Sequence, residues 1–292
     1  NHKAQAFFYE LGDESGLSTC FQILGIVHSD RGEYEQAVQL YQQAIEIKRT
    51  IGDRAGLSAC YQNLGVTHMN RSEYEQAVRM YQQAIEIKRA IGDRAGLSGC
   101  YVNLGIIHRN RSEYDQAAQM YQQAIDIDRT IGDRAGLAAC YLGLGNVHQS
   151  RGEYDQAVQM YQQAIEINRT IGNRAGLSDC YVNLGIVHRK RSEYDQAVQM
   201  YQQAIEIKHA VGDRAGQAAC YQNLGNVHQS RGAYDQAVHM YAQAIEIRRT
   251  IGDSGGLANS YANLGSVHLD RGEYDQAMQM YKQAIEIMGT IG

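Results

Sequence analysis

Apolar residues fall at steps of three and four along the chain, with short polar segments between the stretches. Leu57, Cys60 and Leu64 follow this spacing in one stretch, and Ala77 and Tyr81 follow it in the next. Such spacing places the apolar side chains on one face of an α-helix. The pattern therefore predicts amphipathic helices and no sheet.

Turn residues mark where these helices begin and end. Gly52 suits the left-handed position after a helix, and Asp53 is a good N-cap for the next helix. At the other junction Ser72 and Glu75 fit a capping box, in which the hydroxyl accepts from a backbone N–H and the carboxylate reaches back. Each unit is therefore predicted to be a pair of antiparallel helices.

The helix pair repeats every 40 residues without an insertion or deletion. An aromatic residue marks the period, at Phe21, Tyr61, Tyr101, Tyr141, Tyr181, Tyr221 and Tyr261. Seven units fill residues 13–292, and residues 1–12 are predicted to be the tail of a preceding repeat or an N-terminal cap. Because one pair cannot bury its apolar faces alone, we expect the pairs to stack into a single array. Small residues such as Gly65 and Ala77 recur in every unit, where helices must approach closely.

The repeated motif resembles a known family. The sequence Y-x-x-L-G-x-x-H from Tyr61, followed by A-x-x-x-Y from Ala77, resembles the tetratricopeptide repeat (TPR) pattern W-x-x-L-G-x-x-Y…A-x-x-x-F in all seven units. The resemblance implies an all-α, right-handed superhelix of seven helix pairs. Two features depart from the pattern: the unit is longer than the usual 34 residues, and the closing proline is absent.

The long unit narrows the resemblance further. It is similar to the Pins/LGN adaptors and, more loosely, to kinesin light chain. Those relatives bind extended peptides in a concave groove lined by the first helix of each pair. The resemblance therefore implies a non-enzymatic scaffold for protein–protein interaction.

Composition and charge exclude several other function classes. The net charge of −5, with acids and bases interspersed, disfavours nucleic acid as a partner. No apolar run is long enough to cross a membrane, and no signal peptide is visible, although a chain that begins with Asn1 leaves an earlier segment open. No P-loop, dinucleotide fingerprint, H-E-x-x-H or G-x-S-x-G motif occurs, so we predict neither an enzyme nor a cofactor.

Cysteine and histidine recur with the period of the repeat. The cysteines are Cys20, Cys60, Cys100, Cys140, Cys180 and Cys220, and the histidines are His28, His68, His108, His148, His188, His228 and His268. Packed helices lie about 8–10 Å apart, too far for a disulfide or a zinc ion to bridge successive units. We interpret the cysteines as small buried hydrophobes and the histidines as hydrogen-bonded packing residues, with no metal site. Reduced thiols favour a cytoplasmic location.

An arginine also recurs in the turn between the two helices of each unit, from Arg31 to Arg271. A phosphate or an acidic partner is one interpretation of this row. We favour pairing with backbone carbonyls or with the neighbouring unit.

Positions that differ between units carry the candidate binding site. Asparagine precedes the Leu-Gly of the motif in five units, at Asn63, Asn103, Asn183, Asn223 and Asn263, and follows it in two, at Asn146 and Asn226. Gln62, Gln222, Val102, Leu142 and Val182 complete the predicted groove. An asparagine side chain donates and accepts at once, which suits a peptide backbone. The alternative is that Asn63 and its equivalents hydrogen-bond the neighbouring helix.

The basic clamp of the Pins/LGN adaptors is absent. Where they carry arginine two residues before the tyrosine, this chain has Ala59, Gly99, Ala139, Asp179, Ala219 and Asn259. We therefore expect a ligand that is less acidic and more apolar than theirs.

The end of the repeat region suggests a second function. The last unit keeps the apolar pattern of the interior units, although terminal repeats normally carry a polar outer face. A segment with Phe7 and Phe8 could meet this end in another copy of the chain. Such head-to-tail contacts would give homo-oligomers or filaments.

Overall fold

The computed structural model describes residues 13–290, and their regular structure consists of fourteen α-helices without a strand. The first helices of the pairs are α1 (Glu14–Asp30), α3 (Arg54–Asn70), α5 (Arg94–Asn110), α7 (Arg134–Arg151), α9 (Arg174–Lys190), α11 (Arg214–Ser230) and α13 (Ser254–Asp270). The second helices are α2 (Tyr34–Thr50), α4 (Tyr74–Ile91), α6 (Tyr114–Ile131), α8 (Tyr154–Thr170), α10 (Tyr194–Ala210), α12 (Tyr234–Ile251) and α14 (Tyr274–Gly289). The prediction of an all-α chain of seven helix pairs is confirmed. None of these helices is long and apolar enough to cross a membrane.

The chain forms two compact units, residues 1–147 and 148–292, with the boundary inside α7. In the first unit, α1 packs on α2, α3 on α4 and α5 on α6, while α2 also packs on α3 and α4 on α5. The second unit repeats this order from α8 to α14. Some successive first helices touch directly: α1 and α3, and α3 and α5, in the first unit, and α9 and α11 in the second.

A tyrosine of the second helix is fully buried in six of the seven repeats. Six of these tyrosines are at most 1% exposed: Tyr41, Tyr81, Tyr121, Tyr161, Tyr201 and Tyr241. The ring lies against a glycine of the first helix, so that a β-carbon on Gly225 would come within 2.6 Å of Tyr241 Cε1. Such a distance is too short for a side chain at that position. The small residues of the motif therefore allow the close helix approach that the sequence predicted.

The junction between pairs is built as predicted. Gly52 has a φ of +74°, and Asp53 caps α3 by accepting from the Gly56 N–H at 2.9 Å. Asp53 also accepts from Lys48 Nζ at 2.9 Å, and this lysine is only 4% exposed. This ion pair of a buried lysine and a partly exposed aspartate connects the end of α2 to the start of α3.

The prediction of a capping box at the other junction is wrong. Ser72 has a φ of +60° and occupies the left-handed position after α3, and the N-cap residue of α4 is Glu73, which makes no side-chain cap bond. The Glu73 carboxylate instead accepts from His68 and Arg71. Ser72 therefore stands where other units have a glycine, as at Gly32 and Gly232.

Candidate functional site

The five asparagines that precede Leu-Gly are half-buried on the first helices, each beside a buried leucine. The side chains of Asn63, Asn103, Asn223 and Asn263 make no hydrogen bond within residues 13–290. The Asn183 amide donates to the Asp179 carbonyl of its own helix at 3.0 Å. These five amides therefore retain donors and acceptors at a partly exposed surface, and the structure shows no bond from them to a neighbouring helix.

Two other members of the predicted groove already have partners. Asn226 Oδ1 accepts from the Tyr241 hydroxyl at 2.6 Å, which joins α11 to α12. Gln222 Oε1 accepts from Arg248 Nη1 across the same helix pair. Both contacts brace one helix of the pair against the other. Asn146 and Gln62 are half-buried on the equivalent faces of α7 and α3.

The apolar members of the set, Val102, Leu142 and Val182, are also half-buried. Val182 packs against a buried cluster that includes Tyr201 and Leu224, so it contributes to the core as well as to the surface. The fourth unit has Gly143 in place of asparagine, and a β-carbon there would lie 2.3 Å from Tyr121 Cε1. Packing therefore explains why the asparagine row is interrupted at this unit.

Asp179 is an acidic residue in the region of the predicted groove. Asp179 stands where the Pins/LGN pattern has arginine, and its carboxylate accepts from Lys208 Nζ at 3.2 Å. Because Lys208 also pairs with Asp213 at 3.0 Å, the charges at this position are largely balanced within the chain.

A recurrent cluster lies at the turn between the two helices of a unit and was not predicted from the sequence; we call it the turn clasp. Histidine Nδ1 donates to one oxygen of a glutamate, and the turn arginine Nε donates to the other oxygen. The first distance is 2.5 Å for His28 and 2.6 Å for the other five such histidines. The second distance is 2.8–3.1 Å. The spacing H-x-x-R-x-E was visible in the sequence and is the signal that would have predicted the clasp.

The turn arginines also connect successive units. Arg71 pairs with Glu35 at 3.2 Å, and Arg191 pairs with Asp155 at 2.8 Å. The predicted pairing with the neighbouring unit is confirmed for these residues. Ionic contacts therefore contribute to stacking beside the apolar core.

The cysteines are free thiols, and all but the half-buried Cys20 are buried. Burial raises the pKa of Cys60, Cys100 and Cys220 to about 11, and that of Cys180 to about 12. These thiols stay protonated at neutral pH and are poor nucleophiles. Within the described residues no three His, Cys, Asp or Glu side chains come together as metal ligands.

Comparison with solved structures shows the same fold at low sequence identity. The kinesin light chain-like BtubC (BKLC) from P. vanneervenii is 21% identical, with a TM-score of 0.68 over 75% of this chain and 92% of that chain. The apo quorum sensor NprR from B. thuringiensis is 14% identical, with a TM-score of 0.76 over 97% and 80% of the two chains. The signal transduction ATPase PH0952 from Pyrococcus horikoshii, which has a tetratricopeptide repeat sensor, is 17% identical. Its TM-score is 0.78 over 98% of this chain and 44% of that chain.

Sequence comparison identifies the family. No curated protein matches the chain. The tetratricopeptide repeat model matches six overlapping windows, at residues 17–90, 57–130, 97–170, 136–210, 176–250 and 217–289. With matches that together run from residue 17 to residue 289, the chain belongs to the tetratricopeptide repeat family, whose members are typically protein-interaction scaffolds and not catalysts.

Proposed function

We propose that the chain binds an extended segment of a partner protein along its first helices and catalyses no reaction. The observation that carries the proposal is the row of half-buried asparagines whose side-chain amides are not bonded to a neighbouring helix. A peptide backbone offers a donor and an acceptor at each residue, which matches an amide that offers both.

The spacing of the row supports an extended ligand. Asn183, Asn223 and Asn263 lie on successive first helices of the second unit, and two of these helices, α9 and α11, touch directly. Packed helices lie about 8–10 Å apart. An extended chain advances about 3.3–3.6 Å per residue, so one asparagine would meet roughly every third ligand residue. Val182 and the balanced Asp179–Lys208 pair favour a ligand that is more apolar than acidic.

Replacement of Asn183 and Asn223 by alanine should weaken binding and leave the fold nearly intact. Each lost hydrogen bond is expected to cost about 0.5–1.5 kcal/mol of binding free energy. A peptide selected on the native chain from a random display library serves as the probe, and its affinity is measured by fluorescence anisotropy beside thermal melting.

Asn226→Ala is the matched control for this experiment. Because Asn226 accepts from Tyr241, its loss should lower the melting temperature and affect affinity less. If the double variant binds the peptide normally but melts early, the asparagines are structural and the proposal fails.

A second candidate function is head-to-tail association of copies. Ile285 on α14 is 70% exposed, whereas the equivalent Ile245 is 7% exposed because α13 covers α12. At the other end of the described chain, Ile23 and Val27 of α1 are 52% and 44% exposed. Phe7 and Phe8, which the sequence analysis also implicated, lie outside the described residues.

Ile285→Asp tests this association, since a carboxylate cannot replace isoleucine in an apolar joint. Sedimentation equilibrium of the native chain should show mass increasing with concentration, and the variant should stay monomeric. A native chain that is monomeric throughout the concentration range would exclude the second function.

A further inference from the structure

The turn clasp of the sixth unit lacks its carboxylate. This unit has histidine and arginine at the usual places, His228 and Arg231, but Ala233 stands where the other six units have glutamate. In those units the glutamate accepts from both basic residues, as Glu193 does from His188 at 2.6 Å and Arg191 at 2.8 Å. The sixth unit therefore keeps both donors and has lost the acceptor.

Without the glutamate, His228 and Arg231 are bonded differently from the histidine and arginine of an intact clasp. His228 Nδ1 is buried and has no hydrogen-bond partner within the described chain. Arg231 still pairs with Asp195 through Nη1, at 2.6 Å, but its Nε has no glutamate to bind. The Arg231 side chain is 50% exposed, against 34% for Arg191 in the preceding unit.

The replaced residue, Ala233, borders an open cavity. A solvent-open cavity of about 410 Å³ adjoins Ala233 and is lined by Gly232, Ala233, Tyr234, Asp235, Gln236 and Arg271. Glutamate differs from alanine by one methylene and one carboxylate, which together have the size of acetate. Asp235 and Arg271 on the wall of the cavity already pair with each other at 2.8 Å and leave the charge there balanced.

We propose that the sixth turn clasp binds an external carboxylate group, held by His228 Nδ1 and Arg231 Nε in the place of the missing glutamate. The structure of the six intact clasps supplies the geometry of the complex. The ligand chemistry is that of an acetate-sized carboxylate, either a free monocarboxylate or the end of an acidic side chain of a partner protein. The site is at the turn between α11 and α12 and is independent of the asparagine row.

The electrostatic environment agrees with this assignment. Burial, and secondly the charge of Arg231, lower the pKa of His228. An unpaired buried donor is costly, and hydrogen bonds to an ionised acceptor are stronger than neutral ones. A bound carboxylate would remove the unpaired donor at Nδ1.

The first test is acetate binding by the native chain. Sodium acetate, compared with sodium chloride at equal ionic strength and with acetamide, should shift the ¹⁵N and ¹H resonances of the His228 ring saturably, in the millimolar range. Acetate should also raise the melting temperature, while acetamide does neither. Absence of a saturable shift at His228 would overturn the proposal.

Two variants give matched controls. Ala233→Glu rebuilds the clasp and should raise the melting temperature by about 2–4 °C while abolishing the acetate response. Glu193→Ala removes the carboxylate of the fifth clasp and should create an acetate response at His188. If Ala233→Glu responds to acetate as the native chain does, the ion is bound elsewhere and the proposal is wrong. The ring resonances report on folded protein, so this result does not depend on stability.

The source of the carboxylate is distinguished by peptides. Acetylated and amidated Gly-Glu-Gly is compared with Gly-Gln-Gly. Binding of the glutamate peptide as well as acetate assigns the site to an acidic side chain of a partner, and binding of acetate alone assigns it to a free monocarboxylate. Neither result depends on Asn183 or Asn223, so failure of the peptide-binding proposal would leave this one standing.

Discussion

The same residue type has two different roles on the first helix, depending on its register. Asn223 is half-buried and its side chain makes no bond within the described chain, whereas Asn226, one turn later, accepts from Tyr241. The sequence placed both on a candidate binding face, because periodicity gives the face of a helix. It does not give the position of a hydroxyl on the next helix, so the bracing role of Asn226 could not be predicted.

The packing of glycine against tyrosine leads to a prediction at the residue scale. Gly225→Ala should destabilise the chain by about 1–3 kcal/mol, because the new β-carbon would lie 2.6 Å from a fully buried ring. Chemical denaturation measures the change. Gly255→Ala in α13 is the control, since no atom lies within 4 Å of its β-carbon position, and it should stabilise by up to about 1 kcal/mol. Equal effects of the two substitutions would contradict the packing argument.

At the scale of the element, the helix pair was predictable and one of its two turns was not. At the Gly-Asp junction, glycine indicates the left-handed position after a helix and aspartate indicates an N-cap. The structure confirms both, at Gly52 and Asp53. Ser72 was misassigned because serine is a common N-cap residue and is rare in the left-handed region. The glycine found there in other units, such as Gly232, was the available signal.

Replacement of a serine that has a left-handed backbone conformation by glycine should increase the stability of the chain. Ser192 has a φ of +61°, and a non-glycine residue in this region costs about 1–2 kcal/mol. Ser192→Gly is therefore expected to raise the free energy of unfolding by up to about 1 kcal/mol, after the entropy cost of glycine. The reciprocal change, Gly232→Ser at a φ of +76°, should lower it by a similar amount. Denaturant midpoints that move in the same direction for both variants would refute this account.

The ion pairs between helix pairs, each of a buried lysine and a partly exposed aspartate, make stability depend on pH. The Gly216 N–H, and then Lys208, lower the pKa of Asp213 from its ordinary value of 3.8, as comparable contacts do for Asp53. A lowered folded-state pKa stabilises the fold above the unfolded value, and this stabilisation is lost as the pH falls through the folded-state pKa. Melting temperatures should therefore fall steeply below about pH 4.

Asp213→Asn isolates the contribution of one such pair. The variant should be less stable than the native chain at pH 7, and the difference should shrink as the pH falls below 4, since protonation abolishes the same charge. Asn173→Ala is the control, because the junction of Asn168 and Asn173 carries a neutral amide pair at 3.0 Å. A native-to-variant difference that is independent of pH would exclude the ion pair as its source.

At the scale of the whole molecule, the residues that are the same in every unit predicted the fold. The residues that differ between units gave the candidate binding sites. The 40-residue period established the helices, their pairing and the small residues between them. The missing glutamate at Ala233 was equally visible, but its meaning depended on the clasp geometry of the other units. That geometry requires side-chain distances across a turn, and helical periodicity contains no information about them.

The near-identity of the units leads to the last prediction, which concerns the stability of the chain as a repeat protein. In such proteins stability is approximately a sum of unit terms and nearest-neighbour interface terms. Insertion of a second copy of residues 173–212 after residue 212 adds one helix pair and one interface. The α10–α11 contact supports this design, because the start of the copied unit has the same Arg-Ala-Gly sequence as the start of α11. The longer chain should show a higher urea midpoint and a larger m-value, since more surface is exposed on unfolding. As a control, the same forty residues with Tyr201 replaced by alanine should give a smaller gain, because this tyrosine is fully buried. A midpoint that falls on insertion of the intact copy would show that the units do not add as nearest neighbours.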